Sequence, residues 1–155
     1  MLSFLQATAW GRALYLLLIS MLPVVELRAG IPAAALLDVP WPEAYALCVF
    51  GNMLPVPFLI LFGRRVFALL RRGVLKKPVQ RLERRMGKKA AAVKKYRALG
   101  LFILVMVPLP GTGAWTGSMV AAVLGMGLRQ ALVSIFLGVL AAGAIMTTLA
   151  YGLLG

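Results

Sequence analysis

Two long apolar stretches of this chain are interrupted where a continuous membrane-spanning helix would need to be unbroken. The interruptions are Pro23-Val24-Val25-Glu26-Leu27-Arg28-Ala29-Gly30-Ile31-Pro32 and Pro108-Leu109-Pro110-Gly111-Thr112-Gly113-Ala114-Trp115. Proline removes a backbone donor and clashes with the preceding turn, so each block stops a helix. In hydrocarbon the freed backbone groups find no water, so such a break must lie against protein or line a wet cavity. A soluble globule is excluded on composition: hydrophobic residues make up 62% of the 155 and charged residues 14%, against about 45–50% and about 25% in soluble domains. Too little polar surface remains to cover a globule, and lipid must do so. The chain reads as an all-α integral membrane protein in a single membrane domain.

The net charge of +13 is confined to one stretch. Fourteen of the seventeen basic residues lie between Arg64 and Arg97, with one acid, Glu83. The rest holds Arg12, Arg28 and Arg129 against Glu26, Asp38 and Glu43. A basic loop between apolar segments follows the positive-inside rule and predicts a cytoplasmic segment over 64–97 in a multi-pass protein. It does not predict nucleic-acid binding, which needs a basic face on a folded domain. Within the loop Val79, Leu82, Met86, Ala90, Val93 and Tyr96 recur at spacings of three and four. They predict an amphipathic helix on anionic lipid headgroups, started by Pro78. Cys48 is the single cysteine and histidine is absent. No disulfide within the chain, zinc site or His-based triad can be assembled, and no cofactor is expected. Arg12 followed by Ala13–Val25 imitates a secretion signal, but the repeat described next uses this segment, so it is expected to be retained.

The chain is internally repetitive. At an offset of 85, Gly11-Arg12-Ala13-Leu14 through Pro23 lies on Tyr96-Arg97-Ala98-Leu99 through Pro108, with Leu16 on Leu101 and Met21 on Met106. At an offset of 87, Gly30 lies on Gly117, Ala34-Ala35 on Ala121-Ala122, Leu37 on Leu124 and Gly51 on Gly138. Each half reads as a short helix, a break, a second short helix of about 8–11 residues, and a full span. Arms of about ten residues reach only about 15 Å, half the hydrocarbon core. They predict a re-entrant hairpin followed by one transmembrane helix in each half: repeat 1 over 10–63, repeat 2 over 98–155. With Arg97 and Arg129 flanking the second hairpin, the hairpins enter from opposite faces. The halves are then inverted and their tips meet near the midplane, as in transporter sites. A plain four-helix bundle with kinked helices is the rival arrangement.

Candidate site residues follow from the tips. Glu26 and Arg28 are the only charges within the predicted core, each costing about 2.5–3.5 kcal/mol at the bilayer centre unless partnered. They read either as a mutual structural pair in an extended tip or as a proton or cation site and an anion anchor. Gly30 belongs to the same tip. Pro110, Gly111, Thr112, Gly113, Trp115 and Thr116 form the second, where bare amides at a helix N-terminus suit an anion and the glycines also allow close packing. Asn52, ahead of Pro55 and Pro57, reads as glue between helices, and Thr147 and Thr148 likewise. No nucleophile–base pair suggests an enzyme, and no phosphate-loop motif is present, so an ion gradient would supply the energy.

Three blocks, Glu26-Leu27-Arg28-Ala29-Gly30-Ile31-Pro32, Gly51-Asn52-Met53-Leu54-Pro55-Val56-Pro57 and Pro108-Leu109-Pro110-Gly111-Thr112-Gly113-Ala114-Trp115-Thr116-Gly117, resemble the signature blocks of the bacterial small multidrug export family. The third is the most specific. The resemblance implies a small secondary transporter of the bacterial cytoplasmic membrane. Through the distantly similar DedA membrane proteins it also implies paired re-entrant hairpins and a lipid-phosphate substrate. Gly113 or Trp115 stands where DedA proteins carry a hairpin arginine in the second half. A cationic-drug exporter is expected to depend on Glu26 and Trp115. A translocase of undecaprenyl phosphate or phospholipid is expected to depend on Arg28 and the Gly111–Gly113 amides, and the residue types favour it slightly. A non-transporting scaffold that recruits a partner through the basic loop is the third reading. Homo-oligomers are compatible with all three.

Overall fold

The computed structural model describes residues 8–23, 25–72, 90–109 and 111–154, and all regular structure among them is helical. In chain order the helices are α1 (Ala9–Met21), α2 (Glu26–Leu36), α3 (Trp41–Met53), α4 (Val56–Arg72), α5 (Ala90–Met106), α6 (Ala114–Val123) and α7 (Leu128–Leu154). The stretch Trp41–Leu69, carrying α3 and α4, and the stretch Leu128–Leu153 of α7 are each long and apolar enough to cross a membrane. At 1.5 Å per residue their 29 and 26 residues measure roughly 43 and 39 Å, beyond the ~30 Å core. Pro55 and Pro57 interrupt the first only at Leu54 and Pro55, where missing N–H groups loosen one turn. The expected amphipathic helix in the basic loop lies mostly outside the described residues. Its last members, Ala90, Val93 and Tyr96, belong to the first turns of α5.

The first break is shorter than the sequence suggests. Residues 26–36 are helical through Gly30 and Pro32. Pro32 costs one ladder bond, to the Arg28 carbonyl. Burial of Leu27, Ile31 and Ala34 on one face holds the helix together across it. Helix α2 packs between α1 and α3 and reaches across to α7, while α6 packs mainly against α4. Small residues permit these approaches: a Cβ on Gly51 would meet the Leu17 carbonyl at 2.6 Å, and one on Gly143 the Tyr45 ring at 2.9 Å. The Tyr45 hydroxyl donates to the Leu140 carbonyl (3.0 Å) and the Tyr151 hydroxyl to the Val39 carbonyl (2.6 Å), each tying one half to the other. Outward faces stay apolar, with Phe50, Phe58, Phe62, Val133 and Leu137 exposed, as lipid contact requires.

Contacts pair off between the halves at the offsets read from the sequence. Arg12 donates to the Leu37 carbonyl at 2.9 Å, and Arg97 to the Leu124 carbonyl at 2.8 Å. A Cβ on Gly51 would meet Leu17 and Ser20, and one on Gly138 would meet their counterparts Phe102 and Val105. Both short second helices end alike. Val39 N–H donates to Ala34 and Asp38 N–H to Ala35, while Met126 N–H donates to Ala121 and Gly125 N–H to Ala122. These are Schellman caps, which require a left-handed residue just past the helix. Gly125 takes φ of 61° at no steric cost, but its counterpart Asp38 takes 55° with a side chain. Left-handed backbone costs a non-glycine residue about 1–2 kcal/mol, somewhat less for Asp. Asp38→Gly is therefore expected to raise stability by about 1 kcal/mol, read as a higher unfolding midpoint of the detergent-solubilised protein. An unchanged or lower midpoint contradicts the cap.

Candidate functional site

The start of α2 meets residues 112–115, and Glu26, Arg28 and Trp115 each satisfy a helix end of the other half. Helix α6 starts at Ala114 after Gly113, whose backbone (φ 141°, ψ −166°) brings no side-chain cap. The cap comes from the other half of the chain. Trp115 N–H donates to Glu26 Oε1 at 3.1 Å. The Ala114 amide and the Asn52 side chain stand beside this carboxylate. An anion at a helix N-terminus meets free donors and the positive end of the dipole. Here that anion is the chain's own, on a residue only 3% exposed.

Arg28 treats the C-terminus of α5 in the complementary way. Its Nη2 donates to Val107 O (2.9 Å), Val105 O (3.3 Å) and Thr112 Oγ1 (3.1 Å), and its Nη1 donates to Thr112 O. The planar guanidinium covers carbonyls the helix cannot satisfy and places positive charge at the negative dipole end. Thr112 is held in turn by its hydroxyl, which donates to Val107 O at 2.8 Å or to Leu109 O at 2.9 Å. In the opposite direction the Trp115 indole N–H donates to Met21 O, at the end of α1, at 3.1 Å. At the offset of 87 Arg28 and Trp115 are counterparts, so each half sends one side chain to close the other's first helix.

Glu26 and Arg28 stand 3.8 Å apart (Nη1 to Oε2), too long for a hydrogen bond. They form the ion pair read from sequence, but from the first turn of α2 and not from an extended tip. Glu26 is the first residue of α2 and takes a left-handed φ of 49°, which turns its carboxylate towards α6. The strong partners of both residues lie about 80 positions away in the chain.

Of the ten residues singled out from sequence, Glu26, Arg28, Asn52, Thr112, Gly113 and Trp115 come together at this junction. Asn52 is 1% exposed and leaves its carbonyl oxygen without a partner. Gly30 lies apart, against Ser20 and Cys48, where it lets α1, α2 and α3 close up. Gly111 is exposed, and its carbonyl takes the Thr116 hydroxyl at 2.8 Å. Pro110 lies outside the described residues. Thr148 bonds back to the Ala144 carbonyl of its own helix, so it glues nothing across helices. No group of three or more His, Cys, Asp or Glu side chains able to hold a metal occurs among the described residues.

Sequence reasoning missed the arginines at the other helix ends. Arg64 donates to Met126 O and Arg97 to Leu124 O, both just past α6, while Arg12 serves α2. Arg12 and Arg97 were already aligned by the repeat, and so were Leu37 and Leu124. Their bonds were not visible because the acceptors are backbone carbonyls.

The described residues form an all-helical protein with two stretches long and apolar enough to cross a membrane. The chain belongs to the family described as Putative small multi-drug export protein, which matches residues 26–145. That family description is of an exporter and not of an enzyme class. No curated protein and no solved structure matches the chain.

Proposed function

We propose that the protein is a secondary exporter of the bacterial cytoplasmic membrane. Residues 10–63 and 98–155 form an inverted repeat of re-entrant hairpin plus span, joined by a cytoplasmic segment, 64–97. The equivalent caps, Arg12 on Leu37 and Arg97 on Leu124, support the repeat. Two membrane-length helices set against shorter ones support the hairpins.

One observation carries the mechanism: the buried Glu26 carboxylate is held by amides of the opposite tip, and Arg28 by carbonyls of the opposite tip. These bonds exist only while the tips touch. Parting the tips strips Glu26 of Trp115 N–H and Arg28 of its carbonyls, and water or substrate must replace them. That defines a two-state element which a bound ligand can bias. In the parted state Glu26 is the anionic group open to a proton or to a cationic, amphipathic compound, and Trp115 offers the aromatic face beside it.

Substrate charge follows from what is already occupied. The α6 amides hold Glu26 and Arg28 holds carbonyls, so an anionic substrate has to displace the chain's own carboxylate. A cation needs only to take the place of Arg28 beside Glu26. The cationic-drug reading is therefore favoured over the lipid-phosphate one.

Proton-driven movement of ethidium in liposomes carrying the purified protein tests this. Glu26→Gln keeps an acceptor for Trp115 N–H and is expected to fold, yet to reduce transport to that of protein-free liposomes. Wild-type transport by Glu26→Gln would make the mechanism wrong. Loss of lipid-phosphate flipping on Arg28 substitution, with Glu26→Gln unaffected, would assign the translocase instead.

A further inference from the structure

The α5–α7 side of the molecule carries a groove of about 830 Å³, away from the tip junction. Leu99 and Phe102 of α5 and Val133 and Leu137 of α7 form its apolar walls, and Arg129 and Gln130 stand in the first turn of α7 at one end. Gly138 packs on Val105 and on the Phe102 carbonyl, which brings α5 and α7 close together just beyond Leu137. From Arg129 to Gly138 is nine residues, roughly 13 Å of helix. It is polar at one end and oily for the rest.

Arg129 differs from the other arginines near it. Arg64 and Arg97 are engaged at the Met126 and Leu124 carbonyls. Arg129 is exposed and has no hydrogen-bond or ion-pair partner among the described residues. Those two bonds also bring Arg64 and Arg97 to the start of α7, so this end of the molecule gathers the basic residues. The matching surface of the first half has no such charge. Pro42 stands at the counterpart of Arg129, and Asp38 and Glu43 lie nearby in sequence.

We infer that this groove holds one anionic phospholipid. The phosphate sits at Arg129 and the first turn of α7, and an acyl chain lies between Leu99, Phe102, Val133 and Leu137. A cationic occupant is excluded by the charge at the mouth. A neutral phospholipid leaves Arg129 unpaired. The site stands apart from the tip junction and does not depend on what the protein transports.

Native mass spectrometry of the full chain, released from micelles containing equal phosphatidylglycerol and phosphatidylcholine, reads this out. One phosphatidylglycerol is expected to be retained in preference to phosphatidylcholine. A single basic residue near a headgroup contributes enough that Arg129→Gln should lower its retention about fivefold. Val133→Trp fills the groove without touching charge and should expel the lipid as well; Leu137→Trp serves if that variant is not monodisperse. Arg65→Gln, a basic residue outside the groove, should leave retention unchanged. Equal retention of the two lipids, retention unaffected by Arg129→Gln and the filling variant, or an equal loss with Arg65→Gln would each overturn the assignment. Because Glu26→Gln leaves this groove intact, it should retain the lipid whatever happens to transport.

Discussion

Gly113→Ala is expected to cost about 3 kcal/mol or more of stability and to abolish transport, because two penalties fall on one atom. At φ of 141° and ψ of −166° Gly113 lies in a backbone region that is essentially reserved for glycine and costs other residues about 1–3 kcal/mol. The added Cβ would also overlap the Glu26 carboxylate. To relieve that overlap Glu26 must leave the α6 N-terminus, which strands a buried charge. The two penalties separate in a double mutant. Glu26→Ala/Gly113→Ala removes the steric conflict and keeps the backbone strain, so it should be more stable than the two single effects added together. Thermal unfolding of the four proteins in one detergent closes the cycle. A Gly113→Ala protein as stable as wild type would mean that the tips do not touch as described.

The same collision explains why the two halves differ where they meet. Gly113 is the counterpart of Glu26 at the offset of 87, and the Glu26 carboxylate occupies the space a Gly113 side chain would need. The buried junction has room for one carboxylate. Two would also repel. The absence of a carboxylate at Gly113 is thus what the first half's carboxylate requires. Arg28 and Trp115 are a milder version: both span the junction to a helix C-terminus, one with a forked cation and one with a single neutral donor.

Much of this was legible in sequence, and the remainder was hidden for a definite reason. Pro23, Pro108 and the intervening apolar lengths mark where helices stop, because proline acts locally. The offsets of 85 and 87 foretell that Arg12 and Arg97, Gly51 and Gly138, stand in equivalent surroundings. Glu26 and Arg28 stand out because charges are rare in this composition. Partners were legible only in part. The Glu26–Arg28 ion pair is present at 3.8 Å, but both residues also bind backbone groups of the other tip. Backbone amides and carbonyls leave no mark in a sequence. Pro32 misled in the other direction: it reads as a helix end, but burial of Leu27, Ile31 and Ala34 outweighs the single bond it removes.

Arg28→Ala is the second large effect expected, about 3–5 kcal/mol of destabilisation, the range for removing one partner of a buried charge system. Substitution strips the Val105 and Thr112 carbonyls of the Arg28 donor, leaves Val107 O to the Leu109 amide and the Thr112 hydroxyl, and leaves Glu26 without a neighbouring cation. Arg28→Lys should recover only part of this, since an ammonium is a point charge and cannot present a planar fork to several carbonyls at once. Removing both charges is more telling. Glu26→Gln/Arg28→Met should be more stable than Arg28→Ala, because no uncompensated buried charge remains, although α5 stays uncapped. It should nevertheless fail to move ethidium, because the titratable group is gone. Stability that partly returns while transport does not would separate the structural share of the pair from its functional share. If Arg28→Ala unfolds at the same temperature as Arg65→Ala, whose side chain is exposed, then Arg28 does not hold the tips together.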